Sequence, residues 1–132
     1  MENALLYMKV IAVAHGIIGY LGGAATASPE IQANIIYQDR NPLVGDVKKY
    51  LVYGMCFCLV LCGLCPWFKP SATPLWAWLA LGFHLVSSAL DFATQRGRLY
   101  CWRCMATGIT VKIIAAAALT YLATILPSVR SD

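Results

Sequence analysis

The sequence predicts an all-α fold, a four-transmembrane-helix bundle that makes the chain an integral membrane protein. Three observations predict it. Of 132 residues, 60% are hydrophobic and only 12% charged, with a mean hydropathy of +0.66, and a water-soluble fold of this length has no way to hide so much apolar surface. A bilayer core about 30 Å thick takes roughly 20 apolar residues at 1.5 Å rise each, and four such runs occur, at 4–25, 50–68, 75–94 and 104–126. The cations lie between these runs, so the net charge of +4 points to lipid headgroups of the bilayer as partners and away from nucleic acid. Residues 1–132 therefore read as a single polytopic membrane domain.

Charge placement orients the spans. Arg40, Lys48, Lys49, Arg96, Arg98 and Arg103 fall in the first and third connections, against Lys69 and Arg130 on the other side and Lys9 just inside the first run. Cytosolic loops are enriched in such cations, which puts both termini on the lumenal or external side. Ala25-Thr26-Ala27 before Ser28 resembles a signal-peptidase site, but cleavage there would leave all six loop cations outside. An uncleaved first helix is the expectation.

Small residues mark one face of the first run: Ala12, Gly16, Gly19 and Gly23 recur at i, i+4, i+7 and i+11. Such a face lets a second helix approach closely, either within the bundle or across a homo-oligomer seam. Ser28-Pro29-Glu30 ends the helix. In the long connection that follows, Ile31, Ile35 and Ile36 suit a short interfacial segment, while Asn41-Pro42 and Gly45 are expected to break any helix. The stretch from Lys69 through Pro70, Ser71, Ala72 and Thr73 to Pro74 reads as a tight polar hairpin. Trp67, Trp76 and Trp78 form an aromatic belt around it, and Tyr50, Tyr53, Tyr100 and Trp102 mark the opposite interface.

The third run carries the most informative pattern. His84, Ser87, Ser88 and Asp91 fall at i, i+3, i+4 and i+7, on one helical face that would not face lipid. A carboxylate inside a span costs roughly 2.5–3.5 kcal/mol at a central position, so Asp91 calls for a partner. Lys112, on the fourth run with Gly108, Ala115 and Ala116, is the expected one, its stem covering the difference in depth. The five residues His84, Ser87, Ser88, Asp91 and Lys112 thus form a polar intramembrane site, read as a clamp between helices or as a proton, ion or ligand site. His15 lies mid-span at a depth near that of His84, and two helical histidines facing a bundle interior suit axial ligation of a b-type haem.

Six cysteines raise a redox reading, with Cys62 and Cys65, and Cys101 and Cys104, each in CxxC spacing. Arg103 and a helix start favour a thiolate at Cys104. The topology sets the pairs at opposite ends of the bundle, roughly a bilayer apart, too far for one zinc site or direct disulfide transfer. Four helices with a CxxC resemble the vitamin K epoxide reductase and DsbB thiol oxidoreductases. The long connection lacks the second cysteine pair of that group.

A second resemblance covers residues 41–95. Asn41-Pro42-Leu43-Val44-Gly45, Gly54, Leu64-Cys65, the short hairpin before Leu75-Trp76, and Gly82-Phe83-His84-Leu85 resemble the ergosterol-biosynthesis scaffold family. Lys49-Tyr50-Leu51-Val52-Tyr53-Gly54 replaces that family's Arg-Thr-Phe-Gly-x-Trp-Thr run, and Ser88 stands about where it has a glutamate. The resemblance implies a small endoplasmic-reticulum tether of sterol-metabolising enzymes.

No complete catalytic constellation is visible, and the function expected is therefore a membrane scaffold or accessory subunit, possible in sterol or lipid metabolism. A thiol oxidoreductase, or a haem- or ion-handling subunit, is the alternative. No metal site is read from the sequence.

Overall fold

The computed structural model describes residues 3–28, 42–95 and 102–126. They form four long helices: α1 Ala4–Ala27, α2 Pro42–Leu64, α3 Thr73–Gln95 and α4 Trp102–Thr124, with two 3-10 turns, Cys65–Trp67 and Pro70–Ala72, between α2 and α3. The stretches Ala4–Ala27, Leu43–Trp67, Pro70–Ala93 and Ala106–Thr124 are each long and apolar enough to cross a membrane. By length and composition the chain is a multi-pass integral membrane protein. Arg40, Arg96, Arg98, Cys101 and the interfacial isoleucines of the first connection lie outside the described residues.

Of the expected breaks, the one at Gly45 is not found, because α2 begins at Pro42 and runs through it, while Asn41 lies outside the described residues. Proline suits a first turn, where its missing N–H has no carbonyl to serve and its fixed φ is already helical. Gly45 is buried one turn on. The charges of Asp46, Lys48 and Lys49 concealed this first part of the helix from a reading based on apolar runs. Two of them meet in an i, i+3 pair, with Lys49 Nζ 3.9 Å from Asp46 Oδ1.

Each helix packs on the next, and α4 closes back on α1. The small face of α1 is used inside the bundle. A Cβ on Gly63 of α2 would stand 2.8 Å from the Gly16 Cα, and one on Gly19 would stand 2.6 Å from the Leu59 Cβ and 2.7 Å from the Cys56 carbonyl oxygen. Only hydrogens fit there, so the two backbones touch. A Cβ on Gly23 would be 3.7 Å from the Cys56 Cβ, an ordinary contact.

The hairpin is stapled by its own backbone, with the amides of Phe68 and Lys69 donating to the Cys65 carbonyl at 3.0 and 2.8 Å. Pro66 and Pro70 open the two 3-10 turns. The hairpin is less polar than expected, since Thr73 and Pro74 are buried. Lys9 on α1 reaches it, its Nζ 5.2 Å from the Trp67 ring centroid.

The interior divides by depth. Toward the hairpin the core is apolar: Met8 and Ala12 of α1, Cys62 of α2, Ala77 of α3, and Ala116 and Leu119 of α4 pack as one cluster. Cys58, Leu59 and Ala80 extend it between α2 and α3. Toward the other end, buried positions are held by His15, Thr26, Lys48, Ser87 and Ser88.

Candidate functional site

This polar half takes four residues from α3 and one or two from each of the other helices. On α3 the face bearing His84, Ser87, Ser88 and Asp91 turns inward: both serines are buried, while His84 and Asp91 are half-buried. Lys48, from the first turns of α2, is 1% exposed, and its Nζ lies 3.8 Å from Asp91 Oδ1.

Asp91 is thus paired with Lys48, where Lys112 was expected, and the reason is depth. α2 and α3 are antiparallel about the hairpin, and Lys48 and Asp91 stand almost equally far from it along the chain, so both arrive near the same membrane face. Lys112 lies ten residues beyond the start of α4, roughly 15 Å at 1.5 Å per residue. That places it level with His84.

At that level the four helices bring together His15 of α1, Cys56 of α2, His84 of α3 and Lys112 of α4. The ammonium of Lys112 is close enough to act electrostatically on each of the other three. Gly108, one turn before Lys112, lets α4 meet the His84 ring, for a Cβ there would stand 3.0 Å from His84 Cε1. His15 Nδ1 is 3.0 Å from the Ile11 carbonyl oxygen. A carbonyl only accepts, so Nδ1 carries the proton and Nε2 is the free nitrogen. His84 Nδ1 is buried and has no hydrogen-bond partner among the described residues.

A haem iron bound axially by His15 and His84 would share this level of the bundle with the Lys112 ammonium. The lysine ammonium acts on both imidazoles, and a cation in that position opposes a second, metallic one. Among the described residues no three His, Cys, Asp or Glu side chains are grouped to hold a metal.

The described cysteines are thiols: Cys56, Cys58, Cys62 and Cys65 are all free and buried. Cys62 is 0% exposed in the apolar core, and the Cys65 thiol donates to the Lys69 carbonyl at 3.2 Å. Neither is presented to an exchange partner. Of the other CxxC, Cys101 lies outside the described residues, as does the side chain of Cys104. The backbone at 104 is in the first turn of α4, at the opposite end of the bundle from Cys62.

The outer face of the α1–α2 seam carries a second feature, which sequence reasoning missed. An apolar groove of about 460 Å³ runs over Gly16 and Gly63 to Trp67, and one of about 330 Å³ runs over Gly19 and Gly23 to Tyr53. They share Tyr20 and Val60 and so form one valley. Along α2 it extends roughly 20 Å at 1.5 Å per residue. The glycines that bring the helices into contact also leave its floor without side chains.

Compared with family models, curated proteins and solved structures, the chain has no match.

Proposed function

We propose that the protein is a membrane scaffold or accessory subunit that seats a transmembrane helix of another membrane protein in the α1–α2 groove. The groove itself carries the reading. It runs along the spanning direction for most of a bilayer core, its floor is glycine, and aromatic rings stand at its ends. A helix packing there gains dispersion contacts with exposed backbone that lipid tails, which are mobile and branched from no fixed axis, make less well. The rim residues Ile17 and Leu64 are 55% and 52% exposed, ready to flank such a helix.

The resemblance of residues 41–95 to the ergosterol-biosynthesis scaffold family supports lipid- or sterol-metabolising enzymes of the endoplasmic reticulum as the partner class. In this reading both termini are lumenal, by the placement of the loop cations.

Photo-crosslinking amino acids at Ile17 and Leu64, followed by affinity purification in mild detergent, test the proposal. A stoichiometric membrane protein captured from both rim positions, and not from exposed Ile113 of α4, which does not line the groove, is the expected result. Recovery of the chain alone would defeat the scaffold reading. Crosslinks only to its own copies would replace it with a homo-oligomer.

A further inference from the structure

The polar half of the interior is more loosely packed along one helix. On α4 none of the described positions between 106 and 115 is buried, whereas Ala116, Leu119 and Leu122 are. α4 therefore packs closely into the bundle in its apolar half and more loosely in its polar half.

Charge in this half does not balance. Lys48 and Asp91 neutralise one another across 3.8 Å, while Lys112 forms no ion pair among the described residues. A lone ammonium inside a span is costly and is ordinarily met by a counter-charge or a polar path to water. His84 adds a buried ring nitrogen with no partner, and the buried hydroxyls of Ser87 and Ser88 lie one turn along the same face.

We infer that Lys112 and His84 bind a carboxylate in the polar half of the bundle. The single Lys112 ammonium, without an ion pair among the described residues, matches one carboxylate. A carboxylate brings two oxygens with about four lone-pair sites, enough to accept from the ammonium and from an imidazole N–H together. Gly108 brings α4 onto the His84 ring, which sets Lys112, one turn on along the same face, beside that imidazole. Exposed Val111 and Ile114 flank this site with apolar surface, so an acyl chain attached to the carboxylate has a path out into the bilayer. A short carboxylic acid entering from the aqueous face presents the same chemistry.

The inference is independent of the α1–α2 groove, which lies on a different face. Its test uses the purified chain in phosphatidylcholine nanodiscs, with equilibrium binding of radiolabelled palmitate and of radiolabelled acetate, each corrected for empty nanodiscs. One equivalent bound at saturation is expected, with binding weakened at least about tenfold in Lys112→Met and in Lys112→Gln through loss of the charge-assisted contacts. Lys49→Met, which removes a cation paired with Asp46, should leave binding unchanged. Losing a lone half-buried cation does not threaten the fold, and retained helicity by circular dichroism verifies this. Saturable palmitate binding alone assigns a bilayer source, and saturable acetate binding assigns an aqueous one. Absence of saturable binding for both, or undiminished binding in folded Lys112 variants, would overturn the site.

Discussion

Lys48 of α2 and Asp91 of α3 form an ion pair at 3.8 Å, and Lys48 is the largest fully buried side chain among the described residues. Removing one member takes the opposite charge away from the other in a low-dielectric interior. Asp91 is 26% exposed, which tempers the cost. Asp91→Asn should lower stability by about 1–3 kcal/mol. Combining Lys48→Met with Asp91→Leu should bring it back to within about 1 kcal/mol of the wild type. Unfolding titrations in mixed micelles measure both.

The glycine contact predicts a contrast between two substitutions of the same kind. Gly19→Ala puts a methyl 2.7 Å from a backbone oxygen, which only a shift of α1 away from α2 relieves, and it should cost about 1–3 kcal/mol. Gly82→Ala on α3 meets nothing within 4 Å. It should be neutral or stabilising by up to about 1 kcal/mol, as expected of Gly to Ala in a helix. Thermal unfolding in detergent distinguishes them.

Thiol chemistry separates a structural role for the cysteines from a redox one. With Cys62 0% exposed, a membrane-permeant maleimide should leave it unmodified in the folded protein and label it after denaturation, as read by peptide mass spectrometry. A disulfide between Cys62 and Cys65 that turns over with quinone would contradict this prediction.

Between α3 and α4, the Trp78 indole N–H donates to Thr120 Oγ1 at 2.9 Å, and the same hydroxyl donates to the Ala116 carbonyl at 2.8 Å. Thr120→Val keeps the shape and removes both contacts. The loss should be about 0.6 kcal/mol, the membrane average for an interhelical hydrogen bond. The Trp78→Phe and Thr120→Val double-mutant cycle measures the interhelical part alone.

The helices were legible in the sequence because hydrophobic run length is set by bilayer thickness, and that constraint acts on each span separately. The inward turn of His84, Ser87, Ser88 and Asp91 was legible for a similar local reason, since helical spacing fixes which residues share a face. What connects one helix to another was harder to read. Lys48 looked like a loop cation because its neighbours Asp46 and Lys49 are charged and Pro42 resembles a helix breaker. A clue was present, in that Lys48 and Asp91 lie nearly equally far from the Lys69-Pro70 hairpin. Cys56 joined His15, His84 and Lys112 only once the relative rotation of all four helices was known, and no single helical period contains that rotation. The glycine face of α1 allowed both an internal and an intermolecular contact, and Gly63, with no glycine spaced one turn from it on α2, gave no comparable signal.

The order of synthesis gives the Lys48–Asp91 pair a further consequence. Lys48 precedes Asp91 by 43 residues, so α2 is made before its carboxylate partner. Until α3 is made, Asp91 is not there to meet the Lys48 ammonium, and a charge within a span is costly to insert. The pair thus favours entry of α2 and α3 together, as the two arms of one hairpin.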